Sequence, residues 1–147
     1  MKVFIGADHR GFKLAKVLEG WLKKSGFTVV SASGKRMDPD DDYVDYASTV
    51  AKRVADTEDV RGIVVCGSGV GVAIVANKVK GIRCGLGFSQ EQVTAMRHDD
   101  NVNVLALAAD FITSEKAEKL MKLFLETPFS GEERHKRRIA KITRIDH

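Results

Sequence analysis

Apolar positions along the chain alternate between short continuous runs and longer stretches at helical spacing. Val3-Phe4-Ile5 is a run closed by Gly6. It leads into FKLAKVLEGWLKKSG, where Phe12, Leu14, Ala15, Leu18 and Leu22 recur every three or four residues and Gly26 supplies a stop. Thr28-Val29-Val30 predicts a second strand. YASTVAKRVAD then reads as a helix, followed by a strand at Gly62-Ile63-Val64-Val65, a glycine-rich turn, and a helix in VAIVANKVKG. Ile82 to Leu86 predicts a strand and SQEQVTAMRH a helix. NVLALAA is a further strand, SEKAEKLMKLFLE a strongly amphipathic helix, and the basic C-terminal stretch at about residues 131–147 another.

Five apolar strands separated by helices predict an α/β fold. The expected architecture is three-layered, a doubly wound (Rossmann-like) parallel five-stranded sheet with helices on both faces. With 147 residues and no repeat or linker, the expectation is a single domain over 1–147. In such sheets ligands bind beyond the carboxyl ends of the strands. That rule selects Ala7-Asp8-His9, Cys66-Gly67-Ser68 and the segment after the fifth strand.

Composition adds exclusions. The chain is 44% hydrophobic and 30% charged, which is ordinary for a folded protein, and no apolar stretch approaches the roughly 18 residues of a membrane span. Lys2 leads straight into the first strand with no cleavage signal, and two cysteines are too few for a disulfide scaffold, so a reducing cytoplasm is expected. The net charge of +4 is concentrated in RHKRRIAKITR, which could suit nucleic acid, a solvated helix or a phosphorylated metabolite; nucleic acid is the least favoured of these.

The chemistry is densest in VVCGSGVGV. The alternation of Gly67, Gly69 and Gly71 does not fit the G-x-G-x-x-G dinucleotide fingerprint, and no Lys follows as a nucleotide phosphate loop requires. What it does fit is a turn whose N–H groups, at a helix N-terminus, meet a phosphate or a developing oxyanion, or else close helix–strand packing. Cys66 beside that helix end is either a reactive thiol or a buried strand-end residue, whereas Cys84 reads as buried only. Asp8 could cap the first helix, and His9 could bind an anion or transfer a proton. The four histidines lack metal-ligand spacing. Asp38, Asp40 and Asp42 alternate as in a calcium loop, but Tyr43 and Thr49 occupy its required Gly and Glu positions, so no metal is expected. Arg134 and Arg138, four apart, share a helix face suited to a phosphate.

GADHRGF, DYVDYA, CGSGVG, ANKVKGIR, NVL and TPFSGEERHKRRIAKI occur in an order that resembles the type B ribose-5-phosphate isomerases and the related galactose-6-phosphate isomerase subunits, over nearly the whole chain. The resemblance implies cofactor- and metal-free aldose–ketose isomerisation of a sugar phosphate through an enediolate, most simply ribose 5-phosphate to ribulose 5-phosphate. Another sugar phosphate, or a binding subunit without turnover, is the alternative. It implies Cys66 as the base and Gly67, Ser68, Gly69 and Gly71 around the enediolate oxygens. Asp8 and Tyr43 would contact hydroxyls, and His9, Arg134 and Arg138 the phosphate. Val70, Asp100 and Asp110 also fall at substrate-facing positions. It further implies a homodimer or homotetramer with shared active sites.

Two positions depart from the family pattern. Counting back from Asn103-Val104-Leu105, the family's ring-opening His falls on Asp99, and His98 stands one residue early, about 100° away on a helix. Either His98 or Asp99 then assists ring opening, or the substrate arrives open-chain. Asp110 stands where the family has an Arg, which should repel an anion and favour a hydroxyl or amine.

Overall fold

A computed structural model describes all 147 residues. Five strands, β1 (Lys2–Ala7), β2 (Thr28–Ser31), β3 (Val60–Cys66), β4 (Cys84–Leu86) and β5 (Val104–Ala108), form one parallel sheet in the order β2-β1-β3-β5-β4. The helices are α1 (Phe12–Lys24), α2 (Tyr43–Ala55), α3 (Val70–Asn77), α4 (Gln90–Asp100), α5 (Ser114–Glu126) and α6 (Glu133–Ile145). This is the expected three-layer α/β architecture.

The period-two alternation of the strands divides the core. Val3, Ile5, Ile63, Val65, Leu105 and Leu107 face one side, where they pack with Leu14, Leu18 and Leu22 of α1, Val93 of α4, and Leu120, Met121 and Phe124 of α5. Phe4, Val64, Cys66, Val104 and Ala106 face the other, against Ala47, Val50 and Ala51 of α2 and Val72 and Ala76 of α3. On that second face the strands carry small residues. A Cβ on Gly6 or Gly62 would lie 2.9 Å from Val50, so α2 sits close on β1 and β3. Cys66 therefore points toward the α2/α3 layer because it follows Val64 by two residues.

Element boundaries depart from the sequence pattern where polar side chains take over. α2 begins at Tyr43, a turn before YASTVAKRVAD, because its first turn exposes Tyr43 and Val44 and so carries no buried stripe to read. α3 stops at Asn77, whose side chain bonds both ways to the Cys84 backbone (Nδ2 to the carbonyl at 3.0 Å, Oδ1 from the N–H at 2.8 Å). β4 starts only at Cys84, since the Arg83 N–H donates to the Asn103 side chain at 2.8 Å instead of a strand partner. α6 occupies the core of the expected basic segment and packs on α4.

Phe124 is fully buried between α5 and the sheet. Phe124→Ala is expected to cost about 3–5 kcal/mol of unfolding free energy, read from the urea midpoint at constant m-value.

Candidate functional site

The register sets Ala7 beside Val65 and Cys66 beside Ala108, which brings the carboxyl ends of β1, β3 and β5 to one level. β2 lies on one side of β1 and β3 on the other, so the chain direction switches between β1 and β3, the place where a cleft opens. A cleft of about 310 Å³ lies there, lined by Asp8, Arg10, Tyr43, Cys66, Gly67, Ser68, Val70, Gly71 and Ile74. Seven of these residues are ones the sequence singled out; Gly69 supports the turn from beneath.

The turn from Gly67 to Gly71 is shaped by three missing side chains. A Cβ on Gly67 would lie 2.5–2.7 Å from nitrogens of the Arg10 guanidinium, and one on Gly71 would lie 2.7 Å from the Tyr43 ring. One on Gly69 would lie 2.5 Å from Leu86 and 3.1 Å from the β5 backbone at Ala108. Gly69 also has φ +73°, a left-handed conformation disfavoured for other residues. The packing and chemical readings of these glycines therefore coexist: Gly69 supports the sheet, while Gly67 and Gly71 receive cleft side chains. Cys66 is 5% exposed, and its Sγ accepts a hydrogen bond from the Gly69 N–H at 3.2 Å. The Ser68 hydroxyl accepts from the Val70 N–H at 3.3 Å. The remaining N–H groups that open α3, at Gly71 and Val72, lie in the helix's first turn.

After β1, buried Asp8 accepts the backbone N–H groups of Arg10 and Gly11 at 3.0 and 3.1 Å. It thus holds the turn that enters α1 rather than capping the helix itself, whose N-cap is Gly11. His9 is paired with Asp41. One carboxylate oxygen accepts the His9 backbone N–H at 3.0 Å and meets ring Nδ1 at 2.8 Å. Asp41 was not among the expected site residues. The loop after β2 falls beside the loop after β1 because the two strands are neighbours, and that adjacency is the signal that could have found it. The hydrogen bond from Asp41 raises the His9 pKa above its ordinary 6.5, with Asp8 adding to the effect. For Asp41, burial favours protonation, but the hydrogen bonds from His9 and Tyr46 together outweigh it and hold the carboxyl below its usual range.

The loop after β5 is stitched onto the glycine turn, with Ala109 N–H to the Cys66 carbonyl at 2.9 Å and Asp110 N–H to the Gly67 carbonyl at 3.0 Å. The Asp110 carboxylate pairs with Arg10. Asp110, expected to repel an anion where the family has an Arg, thus has its charge paired with a cation 100 positions away in sequence.

A second group of expected residues lies where α4 meets α6, and none of it lines the cleft of Cys66. Asp99 Oδ1 meets His98 Nδ1 at 2.7 Å and His135 Nε2 at 3.6 Å, while Ser130 Oγ meets His135 Nδ1 at 2.6 Å. His98 holds the Asp99 carboxyl below its usual range, and His135 and Arg134 add to the effect. The one-residue shift thus leaves His98 and Asp99 in the same cluster. Buried His135, one residue past Arg134, was not singled out from sequence. Arg134 donates to Glu132 at 2.8 Å, and Arg138 is exposed one turn along α6. Asp100 instead lines a third region, a groove of about 480 Å³ with Cys84, Arg83 and Ile142. Burial pushes the Cys84 thiol up to about 12, so that groove holds no ready nucleophile.

Two sets of side chains could chelate an ion by proximity, His98–Asp99–His135 and Asp8–His9–Asp41. In each, one carboxylate is already paired with an imidazole, Asp99 with His98 and Asp41 with His9. No helix is long and apolar enough to cross a membrane.

Two predictions arise from this geometry. Gly69→Ala is expected to destabilise by about 1–3 kcal/mol through its positive φ alone, read by denaturant unfolding. The His9 ring is expected to titrate above 6.5 by NMR and to fall back in Asp41→Asn. A raised folded-state pKa means the contact stabilises fully below the unfolded value and less as pH rises through the folded one, so the stability gap between wild type and Asp41→Asn should narrow from pH 6 to pH 8.

Residues 3–142 match the family model described as Ribose/Galactose Isomerase. A probable ribose-5-phosphate isomerase B from Mycoplasma genitalium is 41% identical over 145 residues, 98% of this chain and 95% of that one. The crystal structure of ribose-5-phosphate isomerase B from the same organism, with bound ribulose 5-phosphate, superposes with a TM-score of 0.93 at 42% identity, covering 97% of this chain and 94% of that one. The type B ribose 5-phosphate isomerase of Trypanosoma cruzi gives a TM-score of 0.93 at 38% identity, over 98% and 95%.

Proposed function

The chain belongs to the ribose/galactose isomerase family, and on that premise we propose that it interconverts ribose 5-phosphate and ribulose 5-phosphate through an enediolate, with Cys66 as the base. One observation carries the reading. A buried thiol, a glycine turn at a helix N-terminus, a buried carboxylate and a tyrosine meet in a single cleft at the switch point of the sheet.

Starting from the aldose, the Cys66 sulfur takes the proton from C2. The C–H electrons form the C1–C2 double bond, and negative charge collects on the C1 oxygen. The N–H groups opening α3 and the Ser68 hydroxyl face that oxygen, fixed in place before the charge appears, which favours the transition state over the bound sugar. Transfer of the C2 hydroxyl proton to the C1 oxygen and return of the proton from sulfur to C1 give the ketose. Asp8 and Tyr43 orient hydroxyls, and Val70 walls the cleft. His9, whose cationic form Asp41 favours, attracts the phosphate.

The α4/α6 cluster belongs to the same site once a second copy of the chain is present, as the family resemblance implies. His98 and Asp99 of one copy would face the cleft of the other, with Arg134 and Arg138 approaching the phosphate. His98 holds the Asp99 carboxyl below its usual range, which makes Asp99 a poor proton donor to the ring oxygen and leaves the His98 imidazole as the candidate for that role. The compensated charge of Asp110 removes the chief reason to prefer a substrate other than ribose 5-phosphate.

Cys66→Ala is expected to lower kcat for ribose 5-phosphate by about 10²–10⁴-fold while the chain remains folded and binds substrate. Unchanged turnover would exclude the thiolate mechanism, and a wild type inert on ribose 5-phosphate would point to another sugar phosphate or to binding alone. His98→Ala is expected to slow turnover of the cyclic sugar more than Asp99→Asn does, measured by stopped-flow on ribose 5-phosphate.

A further inference from the structure

Arg10 lines the cleft of Cys66 and was assigned no role from sequence. Its backbone is fixed by Asp8, which accepts the Arg10 N–H at 3.0 Å, and its guanidinium lies over Gly67 in the space a side chain there would fill. From the other side, Nη2 of Arg10 reaches the Asp110 carboxylate, and Asp110 is itself anchored to the glycine turn through its N–H to the Gly67 carbonyl at 3.0 Å. The guanidinium is thus held at both ends of its reach, and its side chain remains 57% exposed at the cleft mouth. One of five N–H donors is used, leaving the others free for an anion.

Arg10 is also the single Lys or Arg among the residues lining the cleft. A phosphorylated sugar brings a charge of about −1.5 to −2 at neutral pH. Without Arg10, that anion would meet the carboxylates of Asp8 and Asp110 with no permanent cation from the cleft wall. An exposed ion pair contributes little to folding, so stability does not account for the arrangement. A planar guanidinium preset by a carboxylate, with a free edge turned to the opening, is a phosphate-recognition geometry.

We propose that Arg10 is a substrate-binding residue that grips the phosphate, and that Asp110 is its positioning partner, so that the pair together supplies the cation missing at position 110. This rests on the isomerase reading of the same cleft. In this pairing the negative charge of Asp110 assists anion binding indirectly, by fixing the guanidinium, rather than opposing it.

The test uses the full chain, as wild type, Arg10→Ala, Arg10→Lys and Asp110→Asn, with urea midpoints measured for each. Steady-state kinetics on ribose 5-phosphate and calorimetry with inorganic phosphate are run in parallel. Arg10→Ala is expected to raise KM and weaken phosphate binding by about 10- to 100-fold with kcat little changed, the loss of a charge-assisted contact. Arg10→Lys should recover part of the affinity, since it restores charge without the planar fork. Asp110→Asn should weaken phosphate binding severalfold, and the double variant Arg10→Ala/Asp110→Asn should be no worse than Arg10→Ala alone, because both changes remove one device. Unchanged phosphate affinity in Arg10→Ala, or no phosphate binding by the wild type, overturns the assignment of Arg10. Tighter phosphate binding in Asp110→Asn overturns the positioning role, because a merely repulsive carboxylate gives that sign. Should the wild type prove inert on ribose 5-phosphate, the ribose 5-phosphate reading fails, while the phosphate calorimetry still decides the case of Arg10.

Discussion

Between Gly67 and Gly71 the chain leaves the central strand and enters α3 with neighbours pressed against it on three sides. The Arg10 guanidinium, the backbone of β5 with Leu86, and the Tyr43 ring each occupy space that a Cβ would need. This steric constraint organises the rest of the site. Because Gly69 lets the turn lie against β5, the α3 N-terminus stays in line with Cys66, and the Gly69 N–H reaches the sulfur. Because Gly67 and Gly71 are bare, residues from the loops after β1 and β2 close over the turn without displacing it.

The sheet prepares that arrangement from a distance. Gly6, Gly62, Cys66 and Ala106 make the α2/α3 face shallow, so α2 rides low enough to deliver Tyr43 to the cleft, while the opposite face is filled by large aliphatic side chains and Phe124. Charge follows the same division of labour. The cleft loops hold two paired couples: His9 with Asp41 joins the loops after the neighbouring strands β1 and β2, and Arg10 with Asp110 reaches across the end of β3 from the loop after β1 to the loop after β5. The α4/α6 junction holds a third, Asp99 between His98 and His135. Paired charges keep fixed directions, which a site that must recognise one anion and stabilise another requires.

What could be read from the sequence was local. α5 was legible to the residue because its amphipathic stripe begins just after Thr113, whose hydroxyl accepts the Lys116 N–H. The strand ends that carry Asp8 and Cys66 followed from alternation and glycine placement, and with them the cleft. The misses were pairings across the fold. Asp41 lay in an acidic loop that, taken alone, suggested only a failed calcium site. Arg10 drew no role, and Asp110 read only as a negative charge in place of the family's Arg. Neither has a sequence neighbour that betrays its partner, since an ion pair spanning 100 residues leaves no periodic trace. The start of α2 was hidden for a different reason, its first turn being exposed and therefore without a hydrophobic stripe.

Strand order carries a last consequence, for biogenesis. β4 is made before β5 yet ends at the sheet's edge, and β5 slots between it and β3. Until residue 108 has been synthesised and released from the ribosome, β3 offers an unpaired edge to any passing strand, and the Cys66 and Gly67 carbonyls lack the N–H groups of Ala109 and Asp110. Nascent chains stalled before that point would carry the Cys66 thiol without the loop that braces it. The interval between translating β3 and β5, some forty residues at about 5–20 per second, is therefore when this protein is most open to thiol oxidation and edge-to-edge aggregation.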